Sequence, residues 1–85
     1  MAAIRLDKLA EGTGVMLNFH VGKRIVETSE ARFVRMEGEG EDRHAVFRSR
    51  GRKGKNGWYE WEAYRYKGRW AYGSSADLIT VHSIL

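Results

Sequence analysis

Val15 to Val21 alternates in polarity: Val15, Leu17, Phe19 and Val21 point one way, and Met16, Asn18 and His20 the other. A period of two marks a β-strand with one buried face. Gly14 and Gly22 bracket this strand, and Lys23–Thr28 is expected to continue the sheet after a bend at Gly22. Ala31–Glu37 reads as a second strand. Arg43–Arg50 reads as the next, with Ala45, Phe47 and Ser49 on one face and Val46 on the other. The link between them, Glu37–Asp42 with Gly38 and Gly40, predicts a hairpin with an acidic tip.

Arg50–Gly57 holds three glycines and no apolar residue, so it reads as a loop. Trp58–Tyr66 is a long strand: Tyr59, Trp61 and Ala63 share one face, and Trp58, Glu60, Glu62, Tyr64 and Tyr66 the other. Lys67-Gly68 is a two-residue link into Arg69–Tyr72. Ser74–Leu78 predicts one helical turn capped by Ser74 or Ser75, and Ile79–Leu85 a closing strand. At the N-terminal side, Ile4/Lys8 and Arg5/Leu9 fit a short helix over Ala2–Glu11, ended by Gly12. Ile4-Arg5-Leu6-Asp7 also alternates like a strand, so both readings stay open there.

Strands of this length, a mid-chain without a helix and no proline predict one all-β domain over residues 1–85, a small barrel of five to six antiparallel strands. The run Trp70 to Leu85 (a strand, Gly73, a Ser-Ser-Ala-Asp turn, a closing strand) resembles the SH3-like small-barrel architecture, which includes Tudor and KOW modules. The resemblance extends to the arrangement of the chain from about Thr13 onward. It implies binding of peptides, RNA, DNA or other subunits through loops and one open face. Two peptide-binding hallmarks of SH3 domains are missing: an Ala-Leu-Tyr-Asp-Tyr-like run near the start and a proline after the turn. Proline-rich ligands are therefore not implied.

Composition narrows the setting. There is no cysteine, which excludes disulfides and thiolate metal sites and favours a reducing, cytoplasmic location. Met1–Gly14 carries Arg5, Asp7, Lys8 and Glu11 without an apolar run, unlike a secretory signal. No stretch has the length of a membrane span, so no membrane partner is expected. The net charge of +4 is unevenly spread. Residues 1–42 hold six Lys/Arg against eight Asp/Glu, net −2; residues 43–85 hold nine against three, net +6.

Two constellations carry chemistry. Arg48, Arg50, Arg52, Lys53 and Lys55 place five cations in eight residues, with Gly51 and Gly54 between them. Glycines let such a segment follow a phosphate backbone, and neutralised phosphates release counterions. Arg50-Gly51-Arg52 is similar to the core of an AT-hook, without its flanking prolines. Arg65, Lys67 and Arg69 are expected to extend this basic surface. The second constellation is aromatic: seven of the ten aromatics fall within Trp58–Tyr72. Trp61 and Trp70 suit the core, whereas Trp58, Tyr64 and Tyr66 suit base stacking or a protein interface. Glu60 and Glu62 on that same face argue against a simple phosphate track.

The acidic link lacks the spacing of a calcium loop, and His20, His44 and His82 lack zinc spacing. No serine has a nucleophile-elbow context and no Walker loop is present, so neither catalysis nor a cofactor is expected. The sequence points to a non-catalytic binding module, with nucleic acid (DNA or RNA) as the first partner class. The alternative is a protein-binding adaptor or inhibitor, in the style of phage or mobile-element proteins that dock on a host enzyme. Homo-oligomerisation through the apolar strand Ile79–Leu85 is a third route.

Overall fold

The structure, a computed structural model, describes residues 5–55, 57–66, 68–72 and 76–85; of residues 52–55 it describes the backbone. Among the described residues six antiparallel strands form one sheet: β1 (Gly14–Val21), β2 (Arg24–Glu37), β3 (His44–Lys55), β4 (Trp58–Tyr66), β5 (Arg69–Ala71) and β6 (Leu78–Ile84). Their order is β5-β4-β3-β2-β1-β6. Five strands meander, and the sixth returns to pair with the first. The three principal extents, 34 × 30 × 28 Å, are nearly equal, so the sheet is curled rather than flat. Its edges meet where Tyr72 and Ala76 exchange backbone hydrogen bonds of 2.9 and 3.2 Å. The chain is thus all-β and folds as a small barrel. No helix among the described residues is long and apolar enough to cross a membrane.

Alternation decides which side chains enter. Val15, Leu17 and Phe19 of β1, Phe33 of β2, Phe47 of β3, Trp61 of β4 and Ile79 of β6 are buried in one cluster, with Leu6 from the N-terminal segment. The aromatics pack in a chain. Phe33 meets Phe47 edge-on at 5.5 Å, Phe47 stacks on Trp61 at 4.9 Å, and Trp61 meets Phe19 at 5.6 Å. Ala31, Ala45 and Ala63, on three neighbouring strands, are small enough to leave room for these rings. Register shifts at Phe19/His20, Met16/Leu17 and Phe33/Arg35 add local twist, as bulges do, and help the sheet curl.

Three expected features differ. Arg24–Thr28 of the expected Lys23–Thr28 segment and Ala31–Glu37 belong to one 14-residue strand, β2, that reverses direction from β1. The reversal is a two-residue turn, because Val21 pairs with Arg24 and Gly22 sits at φ 62, the left-handed conformation such hairpin turns need. The expected loop Arg50–Gly57 is largely strand: β3 runs to Lys55, and Gly51 N–H bonds the Gly57 carbonyl at 2.9 Å. The expected helix over Ala2–Glu11 is a single 3₁₀ turn, Leu6–Lys8, within its described part. One apolar residue of this turn, Leu6, is buried in the core, and a longer isolated helix would gain little from so few contacts. Ser74 and Ser75 of the expected Ser74–Leu78 turn lie outside the described residues; Leu78 already begins β6.

The acidic β2–β3 link contains a second 3₁₀ turn, Gly40–Asp42. Gly38 has φ 82, and a β-carbon there would run into the Asp42 carbonyl, so the link needs glycine at that point.

Candidate functional site

A meander puts alternate turns at opposite ends. The β1–β2 turn and the β3–β4 tip therefore share one end of the barrel, together with Tyr72 and the start of β6. The β2–β3 link and the β4–β5 turn share the other. At about 3.3 Å per residue, the nine-residue β4 holds the two ends roughly 25 Å apart. Arg50, Arg52, Lys53 and Lys55 lie on the β3–β4 tip, and exposed Lys23 and Arg24 lie at the same end, in the β1–β2 turn and at the start of β2. The side chains of Arg52, Lys53 and Lys55 are outside the described residues. Arg65 and Arg69 belong to the far end, and Lys67 is outside the described residues. The fold thus separates two cation groups that are neighbours in sequence, and joins two that are distant.

At the root of the basic tip, Arg50 pairs with Trp58 across β3 and β4, its guanidinium carbon 4.7 Å from the ring centroid. This is cation–π geometry. Arg48 pairs instead with Glu60, the atoms 3.4 Å apart, and both side chains are about half exposed. Exposed pairs of this kind contribute little, about 0–1 kcal/mol, and yield to salt.

The outer faces of β2–β4 continue this pattern. Arg35 contacts Glu37 at 3.1 Å and Glu60 at 4.0 Å. Val46 between them is 2% exposed, so this face is dry at its centre. Tyr64 stacks on His44 at 4.8 Å, and its hydroxyl donates to Glu62 Oε2. That hydrogen bond, helped by desolvation and the nearby carboxylates, raises the Tyr64 pKa above its ordinary 10.0. Tyr66, 67% exposed, is at the far end. There it lines an open cleft with Asp7, Glu41, Asp42, Arg65 and Trp70. The three expected stacking residues are therefore dispersed: Trp58 under Arg50, Tyr64 on His44, and Tyr66 beside the acidic link.

The inner side of the basic end holds a groove of about 260 Å³, which no local pattern in the sequence announces. Phe19, Trp61 and Tyr72 form its aromatic floor, with Trp61 and Tyr72 edge-on at 5.0 Å and Phe19 and Tyr72 at 6.4 Å. Tyr59, 40% exposed, stands at one wall, and Val26, Glu27 and Ser29 of β2 form the opposite one. Ser49 Oγ accepts the Trp61 indole N–H at 2.7 Å and fixes that ring. Ile25 and Val26, each 55% exposed, continue the wall toward the β1–β2 turn.

Among the described residues no group of three His, Cys, Asp or Glu side chains is placed to hold a metal ion. No protein-family model matches the chain, and comparisons with curated proteins and with solved structures find no match.

Proposed function

We propose that this chain is a non-catalytic binding module that takes nucleic acid at the barrel end formed by the β1–β2 turn and the β3–β4 tip. One observation carries the reading: Lys23 and Arg24, distant in sequence, share that end with Arg50 and the segment through Lys55. Cations gathered on two neighbouring turns suit a phosphate chain, whose binding they strengthen by releasing counterions. The Arg50–Trp58 pair adds a π surface at the same place. Acids are fewer there. Asp77 is occupied by the Gly22 N–H at 3.1 Å, and the acidic link lies at the opposite end.

A second reading, a protein-docking adaptor or inhibitor, is favoured by the outer face of β3–β4. Its charges are mutually paired (Arg35, Arg48 and Glu60) around the buried Val46, and Tyr64 stands beside them. Such a face suits a partner of mixed charge more than a polyanion.

Fluorescence anisotropy with labelled single-stranded DNA, duplex DNA and RNA, at low and physiological salt, separates the two. Nucleic-acid binding predicts affinity that persists at physiological salt, with a steep salt slope and a preference among the three. Loss of all binding at physiological salt, without preference, would overturn it and leave the outer face as the working site.

A further inference from the structure

We propose that the inner groove at the basic end holds one unpaired nucleobase, guanine before the others, so that the nucleic acid bound there is single-stranded at that point. The inference rests on the nucleic-acid reading and adds to it the form of the ligand and the base it selects.

The groove has the size and walls for a single base. Its volume of about 260 Å³ lies just below the roughly 300–1,000 Å³ of pockets that take drug-sized ligands. It has room for one planar ring system and not for several nucleotides. The Phe19–Trp61–Tyr72 floor is rigidly packed, and the half-exposed Tyr59 ring offers a stacking surface. A base inside a duplex is paired and stacked on its neighbours, so it reaches a recess in a barrel mouth only by leaving the helix. The phosphates on either side of an unpaired base would meet the two basic turns that flank the groove.

The polar groups point to a base. Glu27 pairs with Phe19 across β1 and β2, which sets it on the inner side at the groove wall. Nothing among the described residues hydrogen-bonds or ion-pairs its carboxylate. An ionised carboxylate only accepts hydrogen bonds. Guanine presents two adjacent donors, N1–H and N2–H, on its Watson–Crick edge and so matches both carboxylate oxygens. Cytosine and adenine present one amino group there, and thymine or uracil one imino group. Asp77, just before β6, accepts the Gly22 N–H and does not line the groove, which leaves Glu27 as the base-reading group.

The test is a set of anisotropy titrations at fixed salt. The probes are a labelled thymine run with one central guanine, the same run with adenine or cytosine at that position, and the guanine strand in a full duplex. The proteins are the wild type, Tyr59→Ala and Glu27→Gln, with the Trp61 indole N–H resonance as a monitor of fold and groove. The wild type is expected to bind the guanine strand about tenfold or more tighter than the duplex. Tyr59→Ala should weaken that binding about 5- to 150-fold, the range for loss of one base–aromatic stack. Glu27→Gln, an exposed substitution that leaves the fold intact, should remove the guanine preference while the adenine and cytosine strands bind as before. Duplex binding as tight as single-strand binding would overturn the groove assignment and leave the basic end standing. So would a guanine preference unchanged in Glu27→Gln. Failure of every oligonucleotide to bind would overturn both.

Discussion

Gly51 and Tyr59 are packed so closely that a β-carbon on Gly51 would lie 2.6 Å from Tyr59 Cε1 and 2.8 Å from Cδ1. The bare backbone of β3 is what lets the Tyr59 ring lie down against the hairpin. Gly51→Ala must push the ring aside, and the ring has somewhere to go, because Tyr59 is 40% exposed. The stability cost is therefore expected to stay within about 1 kcal/mol, a drop in Tm of no more than about 4–8 °C for a domain of this size. The loss should fall on ligand binding at the groove instead. Thermal unfolding and oligonucleotide titration of the same variant check both halves. A large fall in Tm with unchanged binding would show that Tyr59 serves the fold and not the groove.

Trp61 and Ser49 make the opposite kind of pair. The indole N–H is buried and its acceptor is Ser49 Oγ. Ser49→Ala would leave a buried donor unsatisfied, which costs about 1–3 kcal/mol. Combining Ser49→Ala with Trp61→Phe removes the donor as well, so the pair should couple: the double variant loses less than the sum of the single losses. Urea unfolding of the three variants gives the coupling energy. Strict additivity would mean that the hydrogen bond contributes nothing.

Much of the barrel is legible in the sequence, and what is not has a physical reason. The inward alternation of β1, β3 and β4 is readable because apolar side chains recur at every second position, so Phe47, Trp61 and Ala63 fall on the correct side, although Val46 on the other face of β3 is buried as well. The length of β2 is not. Arg24–Thr28 is exposed on both faces, since it pairs with β1 alone beyond the β2–β3 ladder, and exposed residues carry no period to read. The Lys23–Arg24 pair is hidden when charge is summed along the chain, where it falls in the acidic half. The signal that finds it is topological. Once Gly22-Lys23 is taken as a hairpin turn, a meander must bring that turn to the same end as the β3–β4 tip. The same rule sends Arg65 and Arg69 to the other end. Glu27 and Tyr59 line one groove from strands that are not hydrogen-bonded neighbours, and no local spacing encodes that arrangement.

Tyr64 offers a prediction in pH. Its neutral phenol donates to Glu62, and ionisation would replace that bond with two facing negative charges. The folded-state pKa is raised, so the contribution is fully present below the unfolded value of 10.0 and is lost as pH rises through the folded value. A tyrosinate absorbance titration should show one tyrosine ionising late, absent in Tyr64→Phe and returned toward ordinary behaviour in Glu62→Ala, which removes the acceptor. Identical titration of wild type and Glu62→Ala would refute the hydrogen bond as the cause.

Charge reversal tests the grouping of cations by barrel end. Grouped along the sequence, Arg50, Arg65 and Arg69 form one basic surface and Lys23 and Arg24 stand apart. Grouped by the fold, Lys23, Arg24 and Arg50 act together and Arg65 and Arg69, roughly 25 Å away along β4, do not. Each phosphate that is no longer neutralised should lower the salt slope by about 0.7–0.9. Lys23→Glu, Arg24→Glu and Arg50→Glu are therefore each expected to weaken oligonucleotide binding and flatten its salt dependence. Arg65→Glu and Arg69→Glu should change affinity slightly, through long-range attraction that physiological salt screens over about 8 Å. Arg48→Glu sits between these cases: its guanidinium is shared with Glu60, so reversal removes a cation and also sets two carboxylates side by side. Its weaker binding should come with a small loss of stability from the broken ion pair. If the Arg65 and Arg69 variants weakened binding as much as Arg50→Glu, the ligand would have to span both ends of the barrel, and a site confined to the two basic turns would be wrong.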